Sequence, residues 1–154
     1  MGKNSIRDTA IPNPALKPFG VLVGEWKTVG THGEMPDTEL HGRTTFEWFE
    51  NGAFLLMRSE IDDPKFPSGI AIFGSDNVAE EYFMLYFDER GVSRKQDVSF
   101  QDNVLKWWRN GTDFSQRNTL TITDGGRTIV GKGEMKQDGS VWEQDLDLTY
   151  TRIE

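Results

Sequence analysis

Three arginines in the sequence lie in short runs that are otherwise rich in aromatic and apolar residues. They are Arg58, Arg94 and Arg109. A guanidinium group binds a carboxylate or a phosphate through two parallel hydrogen bonds, and apolar walls would hold the rest of an amphipathic molecule. Each arginine would instead be structural if it paired with a neighbouring carboxylate or lay outward over an aromatic ring. We expect at least one of the three to face an internal cavity.

Both histidines and three acidic residues occur in one short segment, residues 32–41. If this segment is a hairpin, His32 and His41 could meet a carboxylate, but their spacing matches no standard metal motif. We therefore predict no metal site. A neutral imidazole beside an apolar cavity titrates near neutral pH, which makes His32 the candidate catalytic residue if the protein is an enzyme.

The elements that must position these side chains are short β-strands. Runs of β-forming residues recur at intervals of roughly 8–14 residues and are separated by turn residues. Turn dipeptides such as Asn51-Gly52, Asn110-Gly111 and Asp138-Gly139 supply the positive φ angles of tight hairpins. We predict strands at residues 24–32, 40–50, 53–61, 69–75, 81–87, 93–101, 104–110, 114–123, 128–137 and 141–152.

Short hairpins determine the architecture. They allow only antiparallel neighbours, because parallel strands need long crossover connections. A long sheet without covering helices removes its edges by closing. The predicted fold is all-β, a ten-stranded antiparallel up-and-down β-barrel with a short N-terminal helical turn at residues 14–20. The single barrel domain spans residues 14–154, after a flexible N-terminal segment at residues 1–13.

Composition excludes several classes of function. The 154 residues suffice for one domain, and a net charge of −8 is a poor match for nucleic acid or an anionic membrane surface. The sequence contains no cysteine, so disulfides and thiolate chemistry are excluded. No apolar run approaches the ~18 residues of a membrane span. We expect no nucleic-acid partner, no membrane insertion and a cytoplasmic location, and a homodimer stays open.

Three further residues carry a resemblance to a known family. Gly24 and Trp26 form a Gly-x-Trp motif in the first predicted strand, and Arg152 lies in the last one. This combination resembles the calycin superfamily, and the chain is similar to the bacterial lipocalin-like family related to nitrobindin-type β-barrels. The resemblance implies that Arg152 packs over Trp26 at the barrel floor, where a guanidinium stacks on an indole.

The sequence departs from the haem-binding members of that family. The haem-binding members contain a motif similar to Gly-x-Trp-x-Gly-x-Gly. In this chain, Thr28 occupies the position two residues after Trp26, where that motif has glycine. Their axial histidine comes from late in the barrel, and no histidine follows His41 in this chain. We therefore predict no haem and no other cofactor.

The predicted function is binding of a small apolar or amphipathic molecule, anionic if an arginine faces the cavity. The alternative is a cofactor-free isomerase, cyclase or lyase that uses His32 and an arginine to polarise a carbonyl or enolate. A third interpretation is a structural or dimerising domain whose barrel is filled by side chains. The predicted ligand-binding residues are Thr28, His32, Met57, Arg58, Met84, Tyr86, Arg94, Trp107 and Arg109.

Overall fold

The computed structural model of the protein describes residues 9–138 and 141–154. In those residues, ten strands and one two-residue strand form a closed antiparallel barrel. The strands are β1 (Gly24–His32), β2 (Met35–Phe49), β3 (Phe54–Ile61), β4 (Gly69–Asp76), β5 (Glu81–Asp88), β6 (Ser93–Gln101), β7 (Val104–Arg109), β8 (Phe114–Thr123), β9 (Thr128–Gln137), β10 (Glu143–Gln144) and β11 (Leu146–Arg152). Two 3-10 helices complete the fold, η1 (Pro14–Leu22) before the barrel and η2 (Asp124–Gly126) between β8 and β9. No helix in the described residues is long and apolar enough to span a membrane.

The strand order confirms the predicted up-and-down barrel. Each strand from β1 to β9 pairs antiparallel with the next strand along the chain, and β11 closes the barrel by pairing with both β9 and β1. The predicted last strand is divided into β10 and β11, which are separated by Asp145.

The first hairpin is longer than the sequence predicts, because β2 begins at Met35 instead of residue 40. The register explains why the start of β2 is not recognisable from the sequence. His32 pairs with Met35 but Gly30 pairs with Leu40, so extra residues of β2 bulge opposite a single residue of β1. Pro36 lies in this irregular stretch, where its missing N–H group costs no regular ladder bond.

The helix η1 is fixed to the barrel at its start. The Asn13 side chain accepts a hydrogen bond from the Ala15 backbone N–H at 3.0 Å, which caps the helix, and Pro14 occupies the first turn. Asn13 also donates from its Nδ2 to Ser75 at 2.9 Å and from its backbone to Gly52 at 2.9 Å. Residues 1–8 of the predicted flexible segment lie outside the described residues, whereas Asn13 is bonded to the barrel.

One face of η1 covers one end of the barrel. Leu16, Phe19 and Leu22 are completely buried. The ring of Phe19 packs edge-on against Tyr82 and Phe100, with centroid distances of 4.9 and 5.0 Å. This end of the barrel is therefore filled with apolar side chains, which leaves the opposite end for an opening.

The floor of the barrel is built from the residues that carry the family resemblance. Trp26 is fully buried, and its Nε1 donates to the carbonyl of Leu22 at 2.8 Å. The Arg152 guanidinium lies 4.2 Å from the Trp26 ring centroid. It also donates to the backbone carbonyls of Val21, Val23 and Gly126. Gly24 is required beside it, because its φ is +137° and a Cβ there would lie 2.5 Å from Nη1 of Arg152.

Candidate functional site

A cavity of about 720 Å³ occupies the barrel at the end opposite η1. Glu34, Lys65 and Arg90, which lie in the connections at that end, border it. The structure therefore does not have the filled barrel of the third interpretation. Its apolar lining residues include Met57, Met84, Trp107, Leu120, Leu148 and Tyr150, and its polar ones include Thr28, His32, Thr44, Tyr86, Arg94, Gln96, Gln116, Asn118 and Asp145.

Seven of the nine predicted ligand-binding residues line this cavity, and Arg58 is one of the two that do not. Its Nε lies 3.4 Å from Oε1 of Glu47 on the outer surface, and both side chains are exposed. The reason is strand alternation: Met57 faces the cavity, so its neighbour Arg58 must face outward. The seven that line the cavity are Thr28, His32, Met57, Met84, Tyr86, Arg94 and Trp107.

Arg109 is the second of the predicted ligand-binding residues that does not line the cavity. It follows the inward parity of Trp107, but its Nη1 donates to the backbone carbonyl of Phe114 at 2.7 Å. Its guanidinium also lies 5.6 Å from the Phe114 ring centroid. These contacts hold Arg109 against the following strand, away from the lining of the cavity.

Arg94 is one of the cationic side chains that line the cavity, together with Lys65, Arg90 and Lys132. It is half-buried, pairs across the strands with Tyr86 and lies 4.9 Å from the ring centroid of Phe114. Among the described residues, no carboxylate lies within ion-pair distance of Arg94. Arg90, at the rim, is by contrast bound to the fully buried carboxylate of Asp88 at 2.7 Å.

Tyr86 also binds the carboxylate of Asp88. Its hydroxyl donates to Oδ2 of Asp88 at 2.7 Å. The hydrogen bonds from Arg90 hold the pKa of Asp88 well below its usual range. Burial, followed by the bond to Asp88, raises the pKa of Tyr86 to about 12. Asp88 is therefore an anion compensated by Arg90, and the nearby Arg94 has no ion-pair partner within the part of the chain that the structure describes.

His32 is buried, and both of its ring nitrogens are occupied. Nδ1 accepts a hydrogen bond from the backbone N–H of Glu34 at 3.0 Å, so the hydrogen-bond network places the ring proton on Nε2. Nε2 lies 2.9 Å from Oδ1 of Asp145 and donates to it. His32 thus orients a carboxylate in the cavity wall.

A chain of side-chain hydrogen bonds continues from that carboxylate along the wall. Oδ2 of Asp145 accepts from Nε2 of Gln116 at 2.9 Å. Oε1 of Gln116 accepts in turn from Nε2 of Gln96 at 3.4 Å, a long and weak bond. The polar side of the cavity is therefore one connected network that begins at His32 and ends at Gln96.

Sequence reasoning missed Asp145 because it assumed unbroken alternation. That pattern puts Asp145 on the outer face together with Glu143 and Asp147. In the structure, the backbone N–H of Asp145 donates to Gly133 and its carbonyl accepts from Gly33, at the break between β10 and β11. Consequently both Asp145 and Leu146 line the cavity. Gln96 could have been found, since it shares the inward parity of Arg94 on β6.

Two buried polar atoms in the cavity wall have no partner among the described residues. They are Oγ1 of Thr28 and Oε1 of Gln96. Thr28 is 1% exposed and Gln96 is 4% exposed, so neither atom is solvated at the outer surface. Because buried polar groups are nearly always hydrogen-bonded, these two atoms are exceptions in the wall of the cavity.

The histidines do not approach each other. His41 lies on the exposed side of β2 and its Nε2 is 2.9 Å from Oε1 of Glu39, whereas His32 faces the cavity. Within residues 9–138 and 141–154, no group of three His, Asp or Glu side chains is arranged to hold a metal ion.

Comparisons with known proteins find similarity at the level of the fold alone. No protein-family model and no curated protein matches the sequence. Among solved structures, Rv2717c from M. tuberculosis is 13% identical with a TM-score of 0.66, and the alignment covers 96% of this chain and all of that one. Zebrafish ileal bile acid-binding protein, complexed with cholic acid, is 16% identical with a TM-score of 0.55, and the alignment covers 87% of this chain and all of that one. The chain therefore shares an antiparallel β-barrel fold with these two proteins.

Proposed function

We propose that the protein binds a small amphipathic molecule in the barrel cavity, with an anionic head group held by Arg94. The observation that carries this proposal is an arginine in the wall of a large cavity with no carboxylate of the described residues within ion-pair distance. A half-buried guanidinium without an anion is costly, and a carboxylate, sulfonate or phosphate would supply the missing charge. Met57, Met84 and Trp107 form apolar wall for the rest of the molecule.

The size and composition of the cavity support this class of ligand. A volume of about 720 Å³ lies within the roughly 300–1,000 Å³ typical of small-molecule sites. Apolar residues and convergent polar groups line it together, as an amphipathic molecule requires. A barrel of similar fold is known in complex with cholic acid, a carboxylic acid. Relationship to nitrobindin-type barrels, absence of haem and a cytoplasmic location stay predictions from the sequence.

The enzymatic alternative is less well supported by the geometry of His32. A general base needs a free lone pair directed at the reacting proton. Nδ1 of His32 already accepts from Glu34, and Nε2 already donates to Asp145. We therefore favour binding without chemistry.

The proposal is tested with two fluorescent probes that share one ring system. Anilinonaphthalene sulfonate carries an anionic head, and phenylnaphthylamine is its neutral counterpart. In Arg94→Met, we expect the anionic probe to lose roughly tenfold or more in affinity, about the 1.5–3 kcal/mol of a charge-assisted hydrogen bond. The neutral probe should bind almost unchanged.

Arg58→Met is the matched control, because it removes the same charge from the outer surface. It should leave the binding of both probes unchanged. Equal losses for both probes in Arg94→Met would show that Arg94 is structural. Failure of either probe to bind the parent protein would contradict the proposed function.

A further inference from the structure

We infer that the cavity selects molecules that donate a hydrogen bond to Oε1 of Gln96, and that Asp145 sets this preference through Gln116. The inference rests on the proposed function, since it names a second chemical requirement of the same ligand. It concerns hydroxyl or N–H groups, whereas Arg94 concerns the anionic head. Asp145 and Gln116 are positioning residues, because they act through Gln96.

The direction of the network is determined at Asp145. An ionised carboxylate can only accept hydrogen bonds. Both of its oxygens are occupied: Oδ1 accepts from Nε2 of His32 and Oδ2 accepts from Gln116, each at 2.9 Å. The amide of Gln116 must therefore present Nε2 to Asp145, and its Oε1 must point away.

The orientation of Gln116 then determines that of Gln96. Oε1 of Gln116 can only accept, so Gln96 presents Nε2 to it at 3.4 Å. The remaining end of the Gln96 amide is Oε1, which is buried and has no partner in the described part of the chain, and Gln96 is one of the residues that line the cavity. The network therefore ends in an unpartnered hydrogen-bond acceptor on a residue of the cavity wall.

An acceptor in this position discriminates between ligands. A hydroxyl or N–H group that reaches Oε1 of Gln96 donates a hydrogen bond to it. An ether or carbonyl oxygen can only accept, so its lone pairs would repel those of Oε1. Sites built to hydrogen-bond a ligand group reject analogues that lack it, because the buried partner is then left unpaired.

Gln96 and Arg94 together define the shape of the ligand. They are two residues apart on β6 and both line the cavity, so their backbone positions are separated by about 6.7 Å along the strand. Ser93, at the start of β6, lies towards the open end, so Gln96 is the deeper of the two. The ligand class is an amphipathic anion that carries a hydroxyl or N–H group farther inside than its head.

The substitution Asp145→Asn should reverse the network without changing its shape. An asparagine can accept from His32 through Oδ1 and donate from Nδ2 to Oε1 of Gln116. The Gln116 amide then turns over and donates to Oε1 of Gln96, so that Gln96 presents its Nε2 to the cavity. The end of the network at Gln96 becomes a donor, two side chains away from the altered atom at position 145.

The experiment compares phenylnaphthylamine, whose bridging N–H donates, with phenoxynaphthalene, whose bridging oxygen only accepts. The first is measured by its own fluorescence and the second by displacing it. In the parent protein, we expect the amine to bind roughly tenfold more tightly, as one hydrogen bond to a buried acceptor implies. In Asp145→Asn, the ether should bind more tightly than the amine.

Two further variants make the result specific. Asp97→Asn makes the same chemical change on the exposed outer face of β6 and should keep the preference of the parent protein. Gln96→Met removes the acceptor and should make the two probes bind equally. The ratio of two affinities within one variant is insensitive to a uniform loss of stability.

The outcomes separate this inference from the proposed function. If the sulfonate probe depends on Arg94 but Asp145→Asn leaves the amine preferred, the inference is wrong and the proposed function stands. Equal binding of the amine and the ether to the parent protein would also overturn it. If the sulfonate probe does not bind the parent at all, the proposed function itself fails.

Discussion

Single residues in this protein are held by several partners at once, and Trp26 is the clearest case. Its indole is buried, bonded to a backbone carbonyl and covered by the Arg152 guanidinium. The guanidinium in turn bonds three carbonyls from η1, η2 and the residue before β1. One aromatic side chain therefore connects both ends of the chain to the barrel floor.

Truncating Trp26 should strongly destabilise the fold. Trp26→Ala removes a fully buried indole and leaves a cavity, so we expect the free energy of unfolding to fall by about 3–5 kcal/mol. Urea unfolding followed by circular dichroism measures the loss. Trp48→Ala is the control, because Trp48 is 40% exposed and should cost much less. Similar losses in the two variants would contradict the packing described here.

Tyr86 should make stability depend on pH at the alkaline end. Its pKa is raised from 10.0 to about 12 by burial and by Asp88, so the folded state holds a proton that the unfolded state loses. This contribution is complete below pH 10.0 and is lost as the pH rises to about 12. In Tyr86→Phe, the free energy of unfolding should fall less steeply across that window.

Urea unfolding of the two proteins at several pH values in that window measures the difference. Burial also raises the pKa of Tyr150, so both proteins lose some stability there and only the difference reports on Tyr86. Equal slopes would show that Tyr86 ionises as readily in the folded state as in the unfolded one.

At the scale of elements, η1 shows how a short helix is stabilised by its context. Pro18 lies inside it and interrupts regular helical hydrogen bonding, and nine residues are too few for an independent helix. Its stability comes from the buried face of Leu16, Phe19 and Leu22 and from the cap at Asn13. The packing of η1 over the end of the barrel therefore stabilises this helix.

Removing the cap should loosen this cover. Asn13→Ala loses the bond to Ala15 and the bond to Ser75, so we expect a loss of about 0.5–2 kcal/mol in the free energy of unfolding. Denaturant unfolding measures it. Lys17→Ala, an exposed change in the same helix, should have almost no effect. A loss no larger than that of Lys17→Ala would show that the cap is not needed.

At the scale of the whole molecule, barrel closure creates both the stability and the cavity. Closure by β11 leaves no open edge along most of the sheet and surrounds a space that side chains fill only at the η1 end. A ligand that enters this space binds the folded state and not the unfolded chain. Binding and stability are therefore linked.

Ligand binding should raise the stability of the whole barrel by a calculable amount. Anilinonaphthalene sulfonate at one hundred times its dissociation constant should add about 2.7 kcal/mol to the free energy of unfolding. At the same concentration, Arg94→Met should gain only about 1.4 kcal/mol if its affinity is tenfold weaker. Arg58→Met should match the parent protein. Chemical unfolding with and without the probe provides the measurement, and equal gains in all three proteins would contradict a role for Arg94.

The sequence alone determined the number and direction of the main strands. Turn dipeptides such as Asn51-Gly52 and Asn110-Gly111 mark hairpins locally, and short hairpins allow only antiparallel neighbours. Gly24, Trp26 and Arg152 were also recognisable from the sequence, because their residue types and their positions at the two ends of the chain carry the information. Strand alternation placed Met57, Met84 and Trp107 on walls that could face a cavity.

The tertiary structure alone decided which polar groups meet inside the barrel. Arg58, Arg94 and Arg109 look alike in sequence, but alternation turns Arg58 outward and a backbone carbonyl holds Arg109. Of these three, Arg94 lines the cavity, and no carboxylate of the described residues forms an ion pair with it. Asp145 faces inward because the strand is interrupted there, and one displaced residue reverses which face a side chain occupies. Such a break arises from pairing with strands far away in the chain, so no local pattern of residues reveals it.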